Sequence, residues 1–113
     1  MKWRLVYFIS SSGENPVGHF IDSLSKPQQV KILRTFMHLE EYGLQAFIPH
    51  VRKLAGTPLW EIRVLGKDNI RVIYVTEKGN SILLLHGFLK KTAKTPQKVI
   101  QICLKRYKDC QSV

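Results

Sequence analysis

Residues 59–89 read LWEIRVLGKDNIRVIYVTEKGNSILLLHGFL, and their hydrophobic period decides the architecture. Trp60, Ile62 and Val64 alternate with Glu61 and Arg63, the period of two expected of a strand with one face buried, which puts the two charged residues on its less buried side. Gly66-Lys67-Asp68-Asn69 is a turn, residues 70–76 form a second strand, and Glu77-Lys78-Gly79-Asn80 is another turn. Residues 82–88 form a third strand, whose four successive aliphatics, Ile82 to Leu85, require burial on both faces. Short turns between consecutive strands join neighbours antiparallel, so the stretch is a meander.

Outward from the meander the period changes. Upstream, residues 3–9 are nearly all β-formers and predict a first, buried strand. Asn15-Pro16 offers an N-cap followed by proline at the first helical position, and Val17, Phe20, Ile21 and Leu24 supply the apolar side of a short helix. Ser25 with Gln28 is a capping-box pattern opening a second helix, with Val30, Leu33, Phe36 and Met37 as its apolar residues and Gly43 as its stop. Residues 44–51, with Pro49, read as a loop. Downstream, Thr95-Pro96 caps a closing helix with a stripe of Val99, Ile100, Cys103, Leu104 and Tyr107 opposite Lys98, Lys105 and Lys108. The expectation is one α+β domain spanning residues 1–113, in the order β-α-α-β-β-β-α, with two N-terminal helices packed on a small antiparallel sheet.

Its 113 residues suffice for one core and not for two. Cys103 and Cys110, seven positions apart on a helix, stand ~10.5 Å from each other, beyond disulfide reach, and read as reduced thiols. The basic, apolar start has the outline of a signal peptide, but its apolar run is too short and lacks a cleavage pattern, so a strand explains it better. Nothing approaches the roughly 18 apolar residues of a membrane span, and a cytoplasmic location without membrane contact is expected.

Charge carries the functional information. Eighteen Lys and Arg against eight Asp and Glu give a net +10, of which +1 lies in residues 1–50 and +9 in residues 51–113. Residues 88–108 hold seven basic side chains and no acidic one. Such a lopsided field either forms a solvated face or binds a polyanion or an acidic partner, and the latter is the stronger reading. His19, His38, His50 and His86 show no metal-ligand spacing, the carboxylates no paired arrangement, and no glycine-rich phosphate loop is present. No metal and no cofactor is expected.

Lys53-Leu54, Leu59 to Val64 and Arg71-Val72-Ile73-Tyr74 resemble the sheet of the RelE/ParE toxin superfamily. The tract LHGFLKKT at residues 85–92, followed by Lys94-Thr95-Pro96, resembles its HigB-like branch, also known as phage-derived proteins. The resemblance implies a RelE-like fold and a toxin of a type II toxin–antitoxin system that acts as an mRNA endoribonuclease at the ribosome. It also implies silencing by a cognate helix-turn-helix antitoxin. A ParE-like inhibitor of DNA gyrase on the same scaffold is the alternative.

RNA supplies its own nucleophile, since the ribose 2′-hydroxyl can attack the adjacent phosphorus, leaving the protein to hold the nucleotide in line and stabilise negative charge. With the resemblance, this assigns phosphate stabilisation to Arg63 and Arg71 and assistance to the leaving group or phosphate to Lys91. Arg52, Lys53, Lys90 and Lys94 contact RNA, with Lys53 and Lys90 positioning its backbone, and Tyr74 or His86 stack on a base or move a proton. Structural alternatives stand beside these roles. Arg63 can pair with Glu61, Arg71 shares its face with Ile73 and Val75 and can snorkel, and Tyr74 and His86 can belong to the core. Glu61 is the departure from other RelE-type toxins, which carry a basic residue there, and it either serves as a base or fixes Arg63.

Overall fold

The computed structural model describes residues 2–47 and 50–111. Five strands form one sheet: β1 (Arg4–Tyr7), β2 (Val51–Lys53), β3 (Trp60–Arg63), β4 (Ile70–Glu77) and β5 (Ser81–Leu89). The helices are α1 (Pro16–Asp22), α2 (Lys26–Tyr42) and α3 (Gln97–Gln111). The sheet order is β1-β5-β4-β3-β2. The α+β class and the two N-terminal helices packed on a sheet are borne out.

Two features differ from the expectation. The sheet is mixed, because β1 lies parallel to β5 while every other pair is antiparallel. The helical hairpin carries the chain back to the starting side, so β5 can be the parallel neighbour of β1. Secondly, the segment expected to be a loop holds a 3-10 turn (Leu44–Phe47) and the short strand β2, which pairs with β3. Three residues are too few to display a period, and Pro49 lies outside the described residues.

The caps act as the sequence predicts. The Asn15 side chain accepts a hydrogen bond from the Gly18 N–H, Ser25 and Gln28 form the reciprocal capping box, and Gly43 closes α2 at φ 78°. The buried side of α2 does not. Ile32, Phe36 and Leu39 enter the core, whereas Val30, Leu33 and Met37 face solvent. Of the four expected apolar residues Phe36 alone is buried; both sets recur at helical spacing, on faces roughly a third of a turn apart at about 100° per residue, so spacing alone cannot choose between them.

The sheet separates two apolar layers. The α1–α2 side contains Val17, Ile21, Ile32, Phe36, Leu39, Ile62, Val72, Tyr74, Ile82 and Leu84. The α3 side contains Phe8, Leu59, Ile73, Val75, Leu83, Leu85 and Cys103, against which Val99, Ile100, Leu104 and Tyr107 pack, the stripe expected of α3. All four aliphatics Ile82 to Leu85 are buried, as their run requires. A register shift between Ile73 and Tyr74 places an extra residue in β5 opposite them. Cys103 and Cys110 are both free thiols, and burial pushes the Cys103 thiol up to about 12.

Candidate functional site

α3 covers the β1–β5–β4 part of its face and the Leu59–Val75 end of β3 and β4, and it stops short of their Arg63–Arg71 end. A pocket of about 170 Å³ opens there, lined by His50, Val51, Arg52, Glu61, Arg63, Arg71 and Lys90. Strand alternation brings them together. Arg52 stands opposite Glu61 across β2–β3, and Arg63 opposite Arg71 across β3–β4, all on one face.

The pocket is organised around Glu61, whose buried position corrects its expected place on the less buried face. It is only 4% exposed because the segment after β5 folds over it. Lys90 Nζ donates to Glu61 Oε1 at 2.9 Å, with Arg71 Nε at 3.6 Å and Arg52 at 3.9 Å from the same oxygen. The buried Thr95 hydroxyl donates to Oε2 and accepts a bond from Arg52 at 3.4 Å. Thr95 therefore spends its hydroxyl on Glu61, where the sequence reading had it capping α3. Glu61 fixes Arg52, Arg71 and Lys90 rather than Arg63, and both of its oxygens are committed. Breaking such a buried cluster leaves uncompensated charge, which is why it holds its members in one geometry.

Arg52 and Arg63 are the exposed members, and Arg63 makes no ion pair among the described residues. The Arg63 guanidinium lies 3.3 Å from His50 Nδ1, and the Arg63 backbone N–H donates to the His50 carbonyl at 2.9 Å. Arginine only donates, so Nδ1 accepts and the imidazole proton sits on Nε2. Arg71 is mostly covered and donates to the Ile70 carbonyl at 3.3 Å; burial lowers its pKa and the Glu61 charge opposes that. Four cationic side chains against one carboxylate leave the pocket strongly positive, with Arg71 and Lys90 tied to Glu61 and the exposed Arg63 guanidinium outside that ion-pair cluster.

The remaining residues named from sequence are distributed as follows. The Lys90 side chain, expected to position RNA, is buried against Glu61, while Lys91 and Lys94 are exposed on the segment after β5 and do not line the pocket. Lys53 is exposed on β2 but alternates to the α1–α2 side with Val51. Tyr74 is not brought to the pocket: it is buried in the α1–α2 layer, and burial raises its pKa above the ordinary value. His86 is half-buried, accepts a hydrogen bond from Arg106 at 2.9 Å on Nδ1 and stacks on Phe88. Burial, with the Arg106 charge second, lowers its pKa to about 4, so it is a neutral imidazole outside the pocket lining. His50 and Thr95 were not assigned to the site from sequence. His50 stands alone in a proline-bearing segment, and nothing in local pattern links it to Arg63. Among the described residues no three His, Cys, Asp or Glu come together to hold a metal ion, and no helix is long and apolar enough to cross a membrane.

The profile of the family "phage derived protein Gp49-like" matches residues 19–108, a span that runs from α1 through most of α3 and includes every residue lining the pocket. The chain belongs to the Gp49-like family. This family is phage-derived and associated with the toxins of toxin–antitoxin systems, which implies an antitoxin partner. No curated protein matches the chain.

Proposed function

We propose that this Gp49-like protein is an mRNA endoribonuclease toxin that works without a metal ion, on ribosome-bound message, through attack by the ribose 2′-hydroxyl. The observation that carries this reading is a positive pocket in which a buried carboxylate holds Arg71 and Lys90 while the exposed Arg63 guanidinium stands outside that ion-pair cluster. Arg63 and Arg71 stabilise charge on the five-coordinate phosphorus, a task suited to fixed donors with planar, two-pronged geometry. The 2′-oxygen–phosphorus bond forms as the phosphorus–5′-oxygen bond breaks, giving a 2′,3′-cyclic phosphate and a free 5′-hydroxyl. The 2′-hydroxyl proton passes to solvent water, and the departing 5′-oxygen takes a proton from solvent in turn. Lys91, on the exposed segment after β5, steadies the phosphate or leaving group, Arg52 and Lys94 follow the RNA backbone, and Lys53 meets it where it passes round the edge strand β2 onto the other face. A cytoplasmic site of action and a helix-turn-helix antitoxin complete the proposal.

Purified protein added to ribosomes programmed with a defined message tests it. Cleavage within the message at defined codons supports the reading. Intact message together with inhibited DNA supercoiling by gyrase overturns it in favour of a ParE-like action.

A further inference from the structure

Helix α2 carries an apolar stripe that the fold leaves uncovered. Val30, Leu33 and Met37 are 51%, 45% and 66% exposed, and with Arg34 and His38 they line a shallow groove of about 520 Å³. Single exposed aliphatics are ordinary on protein surfaces, but three at i, i+3 and i+7 on one helix form a continuous seam of the kind that receives a partner helix. The buried side of the same helix is fully used by Ile32, Phe36 and Leu39, so the stripe has no role in the chain's own core.

Charge says what covers it. Arg34 lines the groove and makes no ion pair or hydrogen bond among the described residues. A second copy of this chain would bring one +10 molecule against another and set like-charged Arg34 side chains near each other in a two-fold contact. An acidic partner gains from both features. The groove also lies on the α1–α2 side of the sheet, away from the α3-side cationic pocket.

We propose that the α2 stripe is the docking surface for an amphipathic helix of an acidic antitoxin, with apolar side chains seated on Val30, Leu33 and Met37 and a carboxylate paired to Arg34. Occupation of this seam leaves the cationic pocket uncovered, so binding and the chemistry of the pocket are separable by mutation. The inference stands independently of what the pocket cleaves.

The probe is the product of the reading frame adjacent to this gene, purified and titrated calorimetrically against the full chain. The double substitution Leu33→Asp with Met37→Asp weakens binding by at least ~100-fold, since it places charge in the centre of the interface. Arg34→Glu weakens it by about tenfold, and reversal of an acidic residue on the partner helix restores it. Arg63→Ala leaves the affinity unchanged. Thermal melts of the variants, whose substituted positions are exposed, confirm folding. Wild-type protein that fails to bind the probe, or Asp variants that bind as wild type does, overturns the proposal. So does loss of binding on Arg63→Ala, which would place the partner in the pocket. A dimer of the chain alone that dissociates on Met37→Asp overturns it in favour of self-association.

Discussion

Glu61 satisfies Lys90, Arg71, Arg52 and Thr95 with two oxygens, whereas the Arg63 side chain, two residues along the same strand and opposite Arg71, has His50 as its hydrogen-bond partner and no ion pair among the described residues. The two residues therefore fail in different ways when removed. Glu61→Ala leaves buried cations unpaired and lowers stability by about 2–4 kcal/mol, read as a shift in denaturant midpoint. Arg63→Ala changes stability by less than about 0.5 kcal/mol while reducing cleavage by roughly 10²–10³-fold, as expected for loss of one donor to developing charge. His86 adds a pH dependence. Its folded pKa of about 4 lies below the ordinary value of 6.5, so the folded state resists protonation. Stability contributed by this group is present at neutral pH and is lost as pH falls from 6.5 toward 4, by about 2 kcal/mol between pH 7 and 5. Urea titrations at the two pH values, compared with His86→Gln, check this, and the variant should lose most of the difference. The motif at residues 60–63 and 71 pointed to Arg63 and Arg71 directly. The partners of Glu61 were not legible, because Lys90 and Thr95 reach it from 29 and 34 residues away and alternation in β3 reports only which side it faces.

Gly87 shows how an element takes its place. A Cβ there would run into the Phe20 ring, so α1 seats its aromatic residue directly on the backbone of β5. Gly87→Ala should cost about 1–3 kcal/mol through overpacking, and Phe20→Leu in the same chain should recover part of it, measured by thermal melts of the single and double variants. The long elements were legible from sequence because their signals are local. Capping residues mark α1 and α2, the period of two marks β3, the turns on either side mark β4, and the aliphatic run marks β5. What escaped was set by other elements. The short strand β2 exists through its pairing with β3, the parallel alignment of β1 through the return of the helical hairpin, and the rotation of α2 through the surface it packs on.

Across the whole molecule, the charge asymmetry visible in the sequence becomes a spatial one. Arg52, Arg63, Arg71 and Lys90 meet at the end of the sheet that α3 leaves uncovered, while the apolar seam of α2 lies on the other side. Binding of single-stranded RNA should accordingly weaken with salt. If three or four phosphates are neutralised, the slope of log affinity against log salt is about −2 to −3, and it becomes shallower in Arg63→Ala. The central claim is that this pocket uses the ribose hydroxyl of its substrate as nucleophile, and the chemistry of the cut ends tests it most directly. Wild-type protein is given programmed ribosomes carrying a message with either ribose or 2′-deoxyribose at the cleaved nucleotide, and the product ends are identified by mass spectrometry. The account predicts a 2′,3′-cyclic phosphate and a 5′-hydroxyl from the ribose message and an uncut deoxy message. Cleavage of the deoxy message, or a 5′-phosphate on the product, would contradict it.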